Sequence, residues 1–114
     1  MSATDSEGDG SGPCDPRQAV DCSRRLRVLA DATRLQILRC LRLGPLHVGE
    51  IAQLVPAEQS LLSHHLRVLR DARFVQALRD GKAVLYRLAE DVRPPGEPGD
   101  VLNLGCCMLR FEGC

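Results

Sequence analysis

The chain has 114 residues, 44% hydrophobic and 26% charged, a balance typical of one soluble globular domain. Aromatic residues make up only 3%, so the core must be built from Leu, Val, Ile and Ala. No apolar run approaches the ~18 residues of a membrane span, and the polar, acidic start does not resemble a secretory signal. These features argue against a membrane protein and predict a cytoplasmic location.

The net charge of zero conceals an uneven distribution along the chain. Residues 1–23 carry a net charge of −4 and residues 88–114 a net charge of −3. Residues 24–87 carry twelve bases against five acids, a net charge of +7. Because sign asymmetry indicates partners better than the total charge does, the basic middle favours a nucleic-acid partner.

Six cysteines are many for a cytoplasmic protein, and five of them lie near the two ends of the chain. These five are Cys14, Cys22, Cys106, Cys107 and Cys114. A reducing compartment disfavours a disulfide framework, so metal binding or redox chemistry becomes the leading explanation. Cys40 differs, because it lies between Leu38 and Leu41 in a helical pattern and is expected to pack as a small hydrophobe.

Four helices are predicted after an acidic, glycine-rich segment, residues 1–14, that has the composition of a disordered tail. The expected helices cover about residues 15–30, 32–43, 48–55 and 60–72. Asp31 and Ser60 are the expected caps of the second and fourth helices. The third helix is expected to turn Val48, Ile51, Ala52 and Val55 inward.

A change of period after the fourth helix predicts a β-hairpin. Residues 74–78 and 83–88 are rich in strand-forming side chains and flank Asp80-Gly81, a strong hairpin signal. Residues 93–114 then read as a Pro/Gly linker, which no helix can cross, and a cysteine-rich segment forming a short strand or an irregular tail. The predicted fold is mainly α with a small β wing, a winged helix-turn-helix domain over residues 15–92 with a non-helical, cysteine-bearing C-terminal segment.

A winged helix-turn-helix places its second helix in the DNA major groove and its wing near the backbone. The candidate DNA-binding residues are polar or basic side chains on the outward face of residues 60–72 and at the wing: Gln59, Ser60, Ser63, His64, Arg67, Arg79 and Lys82. His65 lies on the more buried side and is expected to make a structural hydrogen bond.

Four strings in this order carry a resemblance to a known family: LADATRLQILRCL, HVGEIAQLV, QSLLSHHLRVLRDARFV and GKAVLYRL. Over residues 24–88 the chain resembles the ArsR/SmtB metalloregulators. The resemblance implies a homodimeric repressor that binds double-stranded operator DNA and leaves it when a metal or metalloid binds.

The sensing motif of that family departs here from its usual form. Many members carry ELCVCDL or ELCVGDL at the third helix, where this chain has PLHVGEI. His47 stands at the first cysteine's place and Gly49 at the second's, so an exposed loop histidine is favoured over a metal ligand. A C-terminal helix with acidic and histidine ligands is not recognisable, which leaves residues 15–30, with or without a terminal strand, to form the dimer.

Cysteine thiolates therefore remain as the candidate metal ligands: Cys106, Cys107, Cys22, Cys14 and Cys114. Thiolates suit As(III), Sb(III), Cd, Pb, Zn or Cu(I), with three fitting a trivalent metalloid and four a tetrahedral divalent metal. Adjacent cysteines on a strand point to opposite faces, so Cys106 and Cys107 can hold one ion only if Gly105 allows a local turn.

Three other classes compete with the metal-sensing repressor. A thiol-based redox-sensing repressor uses the same scaffold and the same vicinal cysteines. An enzyme of thiol-oxidoreductase type is disfavoured because the chain has no Cys-x-x-Cys motif. A protein-interaction module that has lost DNA binding is disfavoured by Ser63, His64 and Arg67 at outward positions, and the salt dependence of binding would separate it from a DNA-binding protein.

Overall fold

The computed structural model describes residues 15–93 and 99–112. Four helices and five short strands follow in chain order. Their bounds are α1 Pro16–Leu29, α2 Ala32–Leu41, β1 Leu46–His47, α3 Val48–Leu54, α4 Gln59–Asp71, β2 Val75–Asp80, β3 Ala83–Leu88, β4 Val101–Asn103 and β5 Met108–Arg110. No helix within these ranges is long and apolar enough to cross a membrane.

The helix boundaries follow from caps and stops in the sequence. Asp15 accepts a hydrogen bond from the Arg17 backbone N–H at the start of α1. Asp31 accepts from the backbone N–H groups of Thr33 and Arg34, which confirms it as the cap of α2. The expected cap at Ser60 is wrong, because α4 begins at Gln59 with Glu58 as its N-cap.

Two antiparallel sheets complete the fold. The first has the strand order β1-β3-β2, and its β2–β3 hairpin is the expected wing. The second is the β4–β5 hairpin, in which Leu102 lies opposite Leu109. The prediction of a winged helix-turn-helix fold with a non-helical C-terminal segment is confirmed for the described residues, and the C-terminal segment forms a two-stranded hairpin.

One apolar core joins the helices, the wing and the C-terminal hairpin. Its largest fully buried side chains come from all of these parts: Phe74, Ile37, Leu38, Leu41, Ile51, Leu62, Leu66, Leu69, Leu102, Leu104, Val55 and Val75. Phe74 is the only aromatic among them, as the low aromatic content predicts. Ile51 in α3 and Val55 directly after it are buried as expected, and Val48 is half-buried. Ala52 is exposed, because the short helix buries a single stripe.

Candidate functional site: a polar face on α4 and the wing, and a cluster of three cysteines

The outward side of α4 presents a row of polar side chains. Leu62, Leu66 and Leu69 face the core, which leaves the opposite side of the helix exposed. That side carries Gln59, Ser60, Ser63, His64 and Arg67. Four of the five, Ser60, Ser63, His64 and Arg67, line one shallow depression.

The tip of the wing lies at the turn between β2 and β3. Gly81 has a φ of 65°, which glycine adopts without the steric cost that a side chain would add. Arg79 and Lys82 are exposed at this tip. We call the five α4 residues together with Arg79 and Lys82 the α4–wing face.

His47 connects the wing to the start of α3. Its Nε2 lies 2.8 Å from Oδ2 of Asp80, the last residue of β2, and its Nδ1 lies 3.1 Å from Oε1 of Glu50. The His47 backbone N–H also donates to the Glu50 carboxylate, at 2.8 Å. The hydrogen bond to Asp80 and then that to Glu50 raise the pKa of His47.

The expectation that His47 lies in a loop is wrong, whereas its expected exposure is borne out in part. His47 belongs to β1, and its side chain is 38% exposed and held by two carboxylates. The physical reason is the pairing of β1 with β3, which places His47 beside the wing. Nothing in the local sequence signals this contact, because Asp80 lies 33 residues further along the chain.

His65, the neighbour of His64 on α4, points to the interior side of the helix. Its Nδ1 lies 3.1 Å from an Arg34 guanidinium nitrogen, and its side chain is 13% exposed. Arg34 also donates from Nε to the carbonyl oxygen of Val28 in α1, at 2.6 Å. The expected structural hydrogen bond of His65 is confirmed, and Arg34 connects α1 to α4 through it.

Three cysteines meet where α1 packs beside the C-terminal hairpin. The sulfur atoms of Cys22, Cys106 and Cys107 lie within 4.8 Å of one another. Cys107 Sγ is 3.7 Å from Cys22 Sγ and 3.8 Å from Cys106 Sγ. We call these three residues the thiol cluster, and among the described residues it is the only such group of potential metal ligands.

Gly105 provides the turn on which this arrangement depends. Its φ is 90°, a value that favours glycine, and the turn between β4 and β5 carries Cys106 and Cys107 to the same end of the hairpin. The turn at Gly105, the condition expected for Cys106 and Cys107 to hold one ion, is thus present, and the shared ion stays a prediction. A cavity of about 310 Å³, lined partly by Cys22, Gly105 and Cys106, adjoins the cluster.

The expectation that the chain lacks disulfides is wrong for one pair. Cys22 and Cys106 form a disulfide across 84 residues, with their Cα atoms 5.7 Å apart. A reducing compartment disfavours disulfides in general, whereas here the hairpin brings the two backbones within the distance that a disulfide requires. Cys107 remains a free, exposed thiol beside this bond.

The other three cysteines lie outside the thiol cluster or outside the described residues. Cys40 is half-buried against the core, and burial raises the pKa of its thiol, so its expected packing role is confirmed. Cys14 and Cys114, the other two expected ligands, lie outside the described residues.

A family model described as "Bacterial regulatory protein, arsR family" matches residues 31–77. The curated relatives include the HTH-type transcriptional regulator NmtR of Mycobacterium tuberculosis, 42% identical over 68% of this chain and 65% of its own length. They also include a cadmium resistance transcriptional regulatory protein CadC homologue of Staphylococcus aureus, 32% identical over 63% of this chain and 60% of its own length. The chain thus spans less than two thirds of both relatives.

Solved structures match about two thirds of the chain. Reduced HlyU from Vibrio cholerae is 33% identical with a TM-score of 0.61, covering 64% of this chain and 77% of HlyU. The homodimeric winged helix-turn-helix DNA-binding domain of Mb0332 from Mycobacterium bovis, titled a possible ArsR-family regulator, is 32% identical with a TM-score of 0.58, covering 69% of this chain and 75% of that domain. The fold thus defines a winged helix-turn-helix protein of regulatory type. The chain belongs to the ArsR family of bacterial transcriptional regulators.

Proposed function

We propose that this protein is a homodimeric transcriptional repressor that leaves its operator when a thiophilic metal or metalloid binds the thiol cluster. The observation that carries the proposal is the meeting of three sulfur atoms within 4.8 Å of one another. The name of one relative, a cadmium resistance transcriptional regulatory protein CadC homologue, points the same way. A regulatory role in the cytoplasm, and no enzymatic activity, follow from this proposal.

The α4–wing face supplies the proposed contact with double-stranded DNA. Serine and glutamine side chains on α4 donate and accept hydrogen bonds at base edges or phosphates, and arginine binds guanine or phosphate. Arg79 and Lys82 at the wing tip add two positive charges for the backbone. The exposure of all seven side chains supports this assignment.

Apolar side chains left exposed on α1 support a homodimer. Val20 is 50% exposed and Leu26 is 44% exposed, although both belong to the apolar pattern of the helix. Met108 on β5 is 56% exposed, and its hairpin is bonded to α1 through the Cys22–Cys106 disulfide. A second copy of the chain would cover this surface, and the homodimeric Mb0332 domain supports that occupant.

The reduced thiol cluster is the proposed sensor, since the thiolate and not the disulfide is the metal ligand. Arsenous acid would exchange its three hydroxyl groups for three cysteine thiolates, and the three thiol protons would leave with those hydroxyls as three water molecules. A divalent cation would displace three protons and take a fourth ligand to complete a tetrahedron. Cys14 and Cys114 are the proposed sources of that ligand.

Arg34 offers a physical route from the sensor to the DNA. It bonds α1, the helix that carries Cys22, to His65 on α4. A shift of α1 on ligand binding would thus move a group bonded to the helix that carries the proposed base contacts. The ligand must bind the DNA-free arrangement more tightly than the DNA-bound one, because otherwise it shifts nothing.

A metal panel on reduced, purified protein tests this proposal. The panel contains As(III), Sb(III), Cd(II), Pb(II), Zn(II) and Cu(I), and the readouts are release from DNA and thiolate absorption. We expect at least one of these ions to release wild-type protein and to fail with Cys106→Ser/Cys107→Ser. Cys40→Ser is the matched control, because Cys40 lies outside the cluster. Unchanged release of the double variant would remove the cluster from sensing.

The disulfide favours a second candidate function, that of a thiol-based redox-sensing repressor. A hydroperoxide would accept two electrons: the thiolate of Cys22 or Cys106 attacks the peroxide oxygen, becomes a sulfenic acid and releases water or an alcohol. The other thiol then displaces the sulfenic hydroxyl as water and closes the disulfide. Counting free thiols on protein released from DNA under anaerobic, metal-loaded conditions separates the two functions, because only redox release consumes thiols.

A further inference from the structure

The ring of His47 lies between two carboxylates that belong to different elements. Asp80 ends β2 at the wing, and Glu50 lies in the first turn of α3. Both ring nitrogens are within hydrogen-bond distance of a carboxylate oxygen, at 2.8 Å and 3.1 Å. His47 is therefore the residue through which the wing and the start of α3 contact each other by polar groups.

These two contacts together require a charged ring. A carboxylate accepts hydrogen bonds but donates none, and a neutral imidazole carries a hydrogen on only one of its two nitrogens. Only the imidazolium form donates to Asp80 and Glu50 at the same time. Loss of its proton would leave one carboxylate without its ring donor and both without the neighbouring positive charge, although Glu50 would keep the hydrogen bond from the His47 backbone N–H.

Among the described residues, Asp80 and Glu50 are the only charged groups that contact the His47 ring. On β3, the residue opposite His47 is Leu85. Arg87, on the same strand, directs its guanidinium to Gln76 and Glu90 instead. The His47 backbone N–H is the first cause that lowers the pKa of the Glu50 carboxyl, and the hydrogen bond from the His47 ring lowers it further.

We call the two hydrogen bonds of the His47 ring, to Asp80 and to Glu50, the His47 bridge. Asp80 places this bridge beside the proposed DNA contacts of the wing. Asp80 lies in sequence between Arg79 and Gly81-Lys82, at the wing tip where we propose phosphate contacts. An unpaired carboxylate there would repel the DNA backbone, whereas one paired with an imidazolium would not.

We propose that the His47 imidazolium is a positioning residue for DNA binding: it holds the wing tip to α3, neutralises Asp80 and so makes DNA affinity fall as pH rises. This inference rests on the proposed function as a DNA-binding protein. The His47 ring is charged below its pKa and loses its proton as pH rises through that pKa. DNA binding is therefore weaker on the alkaline side.

Two measurements on the full chain test the bridge and its consequence separately. The first follows the ring nitrogens of His47 by NMR across a pH titration. We expect His47 to lose its proton at a higher pH in wild type than in Asp80→Asn, and the backbone amide of Gly81 to shift with it. Equal titration of His47 in both proteins would overturn the bridge, whether or not the protein binds DNA.

The second measurement uses a duplex that wild-type protein has selected from a randomised pool. Because His64 is also titratable and lies on the α4–wing face, the comparison is made between His64→Gln and His64→Gln/His47→Gln. Between about pH 6 and about pH 8, at constant ionic strength, we expect a two- to fivefold loss of affinity in the first variant, about the effect of one exposed ion pair. We expect a flat profile in the double variant.

Equal pH profiles in these two variants would overturn the role of the bridge in DNA binding. Failure of wild-type protein to enrich any duplex would instead overturn the proposed function, together with the DNA-binding role inferred for the bridge. The NMR titration would then still decide whether His47 holds the wing.

Discussion

The α4–wing face and the thiol cluster are built in opposite ways. The face uses residues 59–82 of the chain, presented by one helix and the hairpin that directly follows it. The cluster brings together α1 and the β4–β5 hairpin, whose bonded cysteines are 84 residues apart. One surface depends on local periodicity and the other on the closure of the whole fold, so the two should respond differently to changes in stability.

The α4–wing face and the thiol cluster also differ in their chemistry. The face offers positive charges and hydrogen-bonding side chains at its surface, which suit a polyanion. The cluster offers soft sulfur atoms, which suit a thiophilic ion or an oxidant. A regulator needs both kinds of surface and a physical connection between them, and Arg34 supplies hydrogen bonds from α1 to α4.

The largest effect should come from removing the part of the C-terminal hairpin that enters the shared core. Leu102 is fully buried, so Leu102→Ala should lower the free energy of unfolding by about 2–5 kcal/mol in a urea titration. Met108→Ala, on the exposed side of the same hairpin, should change it by less than about 0.5 kcal/mol. Equal small effects would show that the hairpin is not part of the core.

Reduction of the Cys22–Cys106 disulfide should have the next largest effect on stability. The Cys22–Cys106 disulfide closes a long loop, and removing a bond of this kind costs about 2–4 kcal/mol. Dithiothreitol should therefore lower the urea midpoint of oxidised wild-type protein and leave that of Cys22→Ser unchanged. If both proteins respond alike, the disulfide does not constrain the unfolded chain.

Arg67→Ala should weaken DNA binding, because Arg67 lies on the α4–wing face and not near the thiol cluster. We expect about tenfold weaker binding to the selected duplex and a salt dependence reduced by roughly one unit of slope, as for loss of one phosphate contact. Fluorescence anisotropy at several salt concentrations measures both quantities. Arg110→Ala, an exposed arginine on β5, is the matched control and should bind DNA as wild type does. Similar losses in both variants would place DNA binding elsewhere.

Asp31 should contribute a smaller, pH-dependent effect at the junction of α1 and α2. The backbone N–H of Arg34 lowers the pKa of Asp31, with desolvation acting in the opposite direction. The cap therefore stabilises the fold above the ordinary aspartate pKa and loses this contribution as pH falls through the lowered value. Asp31→Ala should cost about 1 kcal/mol at neutral pH and less in acid, where the protonated carboxyl caps the helix more weakly.

Asp71→Ala provides the comparison for that measurement. Asp71 has a side chain that is 69% exposed and ends α4 instead of capping the start of a helix. Its removal should leave the free energy of unfolding within about 0.5 kcal/mol of wild type. A loss as large as that of Asp31→Ala would contradict the capping role.

The sequence predicted the parts of the fold that local rules govern. Asp31 caps its helix, Gly81 turns the wing, and three leucines of α4 face the core, since each feature depends on neighbours within a few residues. These leucines are Leu62, Leu66 and Leu69. Ser60 failed as a cap for a local reason too: the backbone N–H of Leu62 bonds to the carbonyl of Glu58, which starts the helix earlier.

The contacts of His47 and Cys22 required the tertiary structure. His47 meets Asp80 because β1 pairs with β3, and Cys22 meets Cys106 because a hairpin packs its leucines into the core beside α1. By itself, the sequence determined the helices, the wing and the side chains that face outward from α4, because helical and strand periods are properties of adjacent residues. Only the tertiary structure decided which distant cysteines and which distant carboxylate meet, because those encounters depend on how the complete core closes.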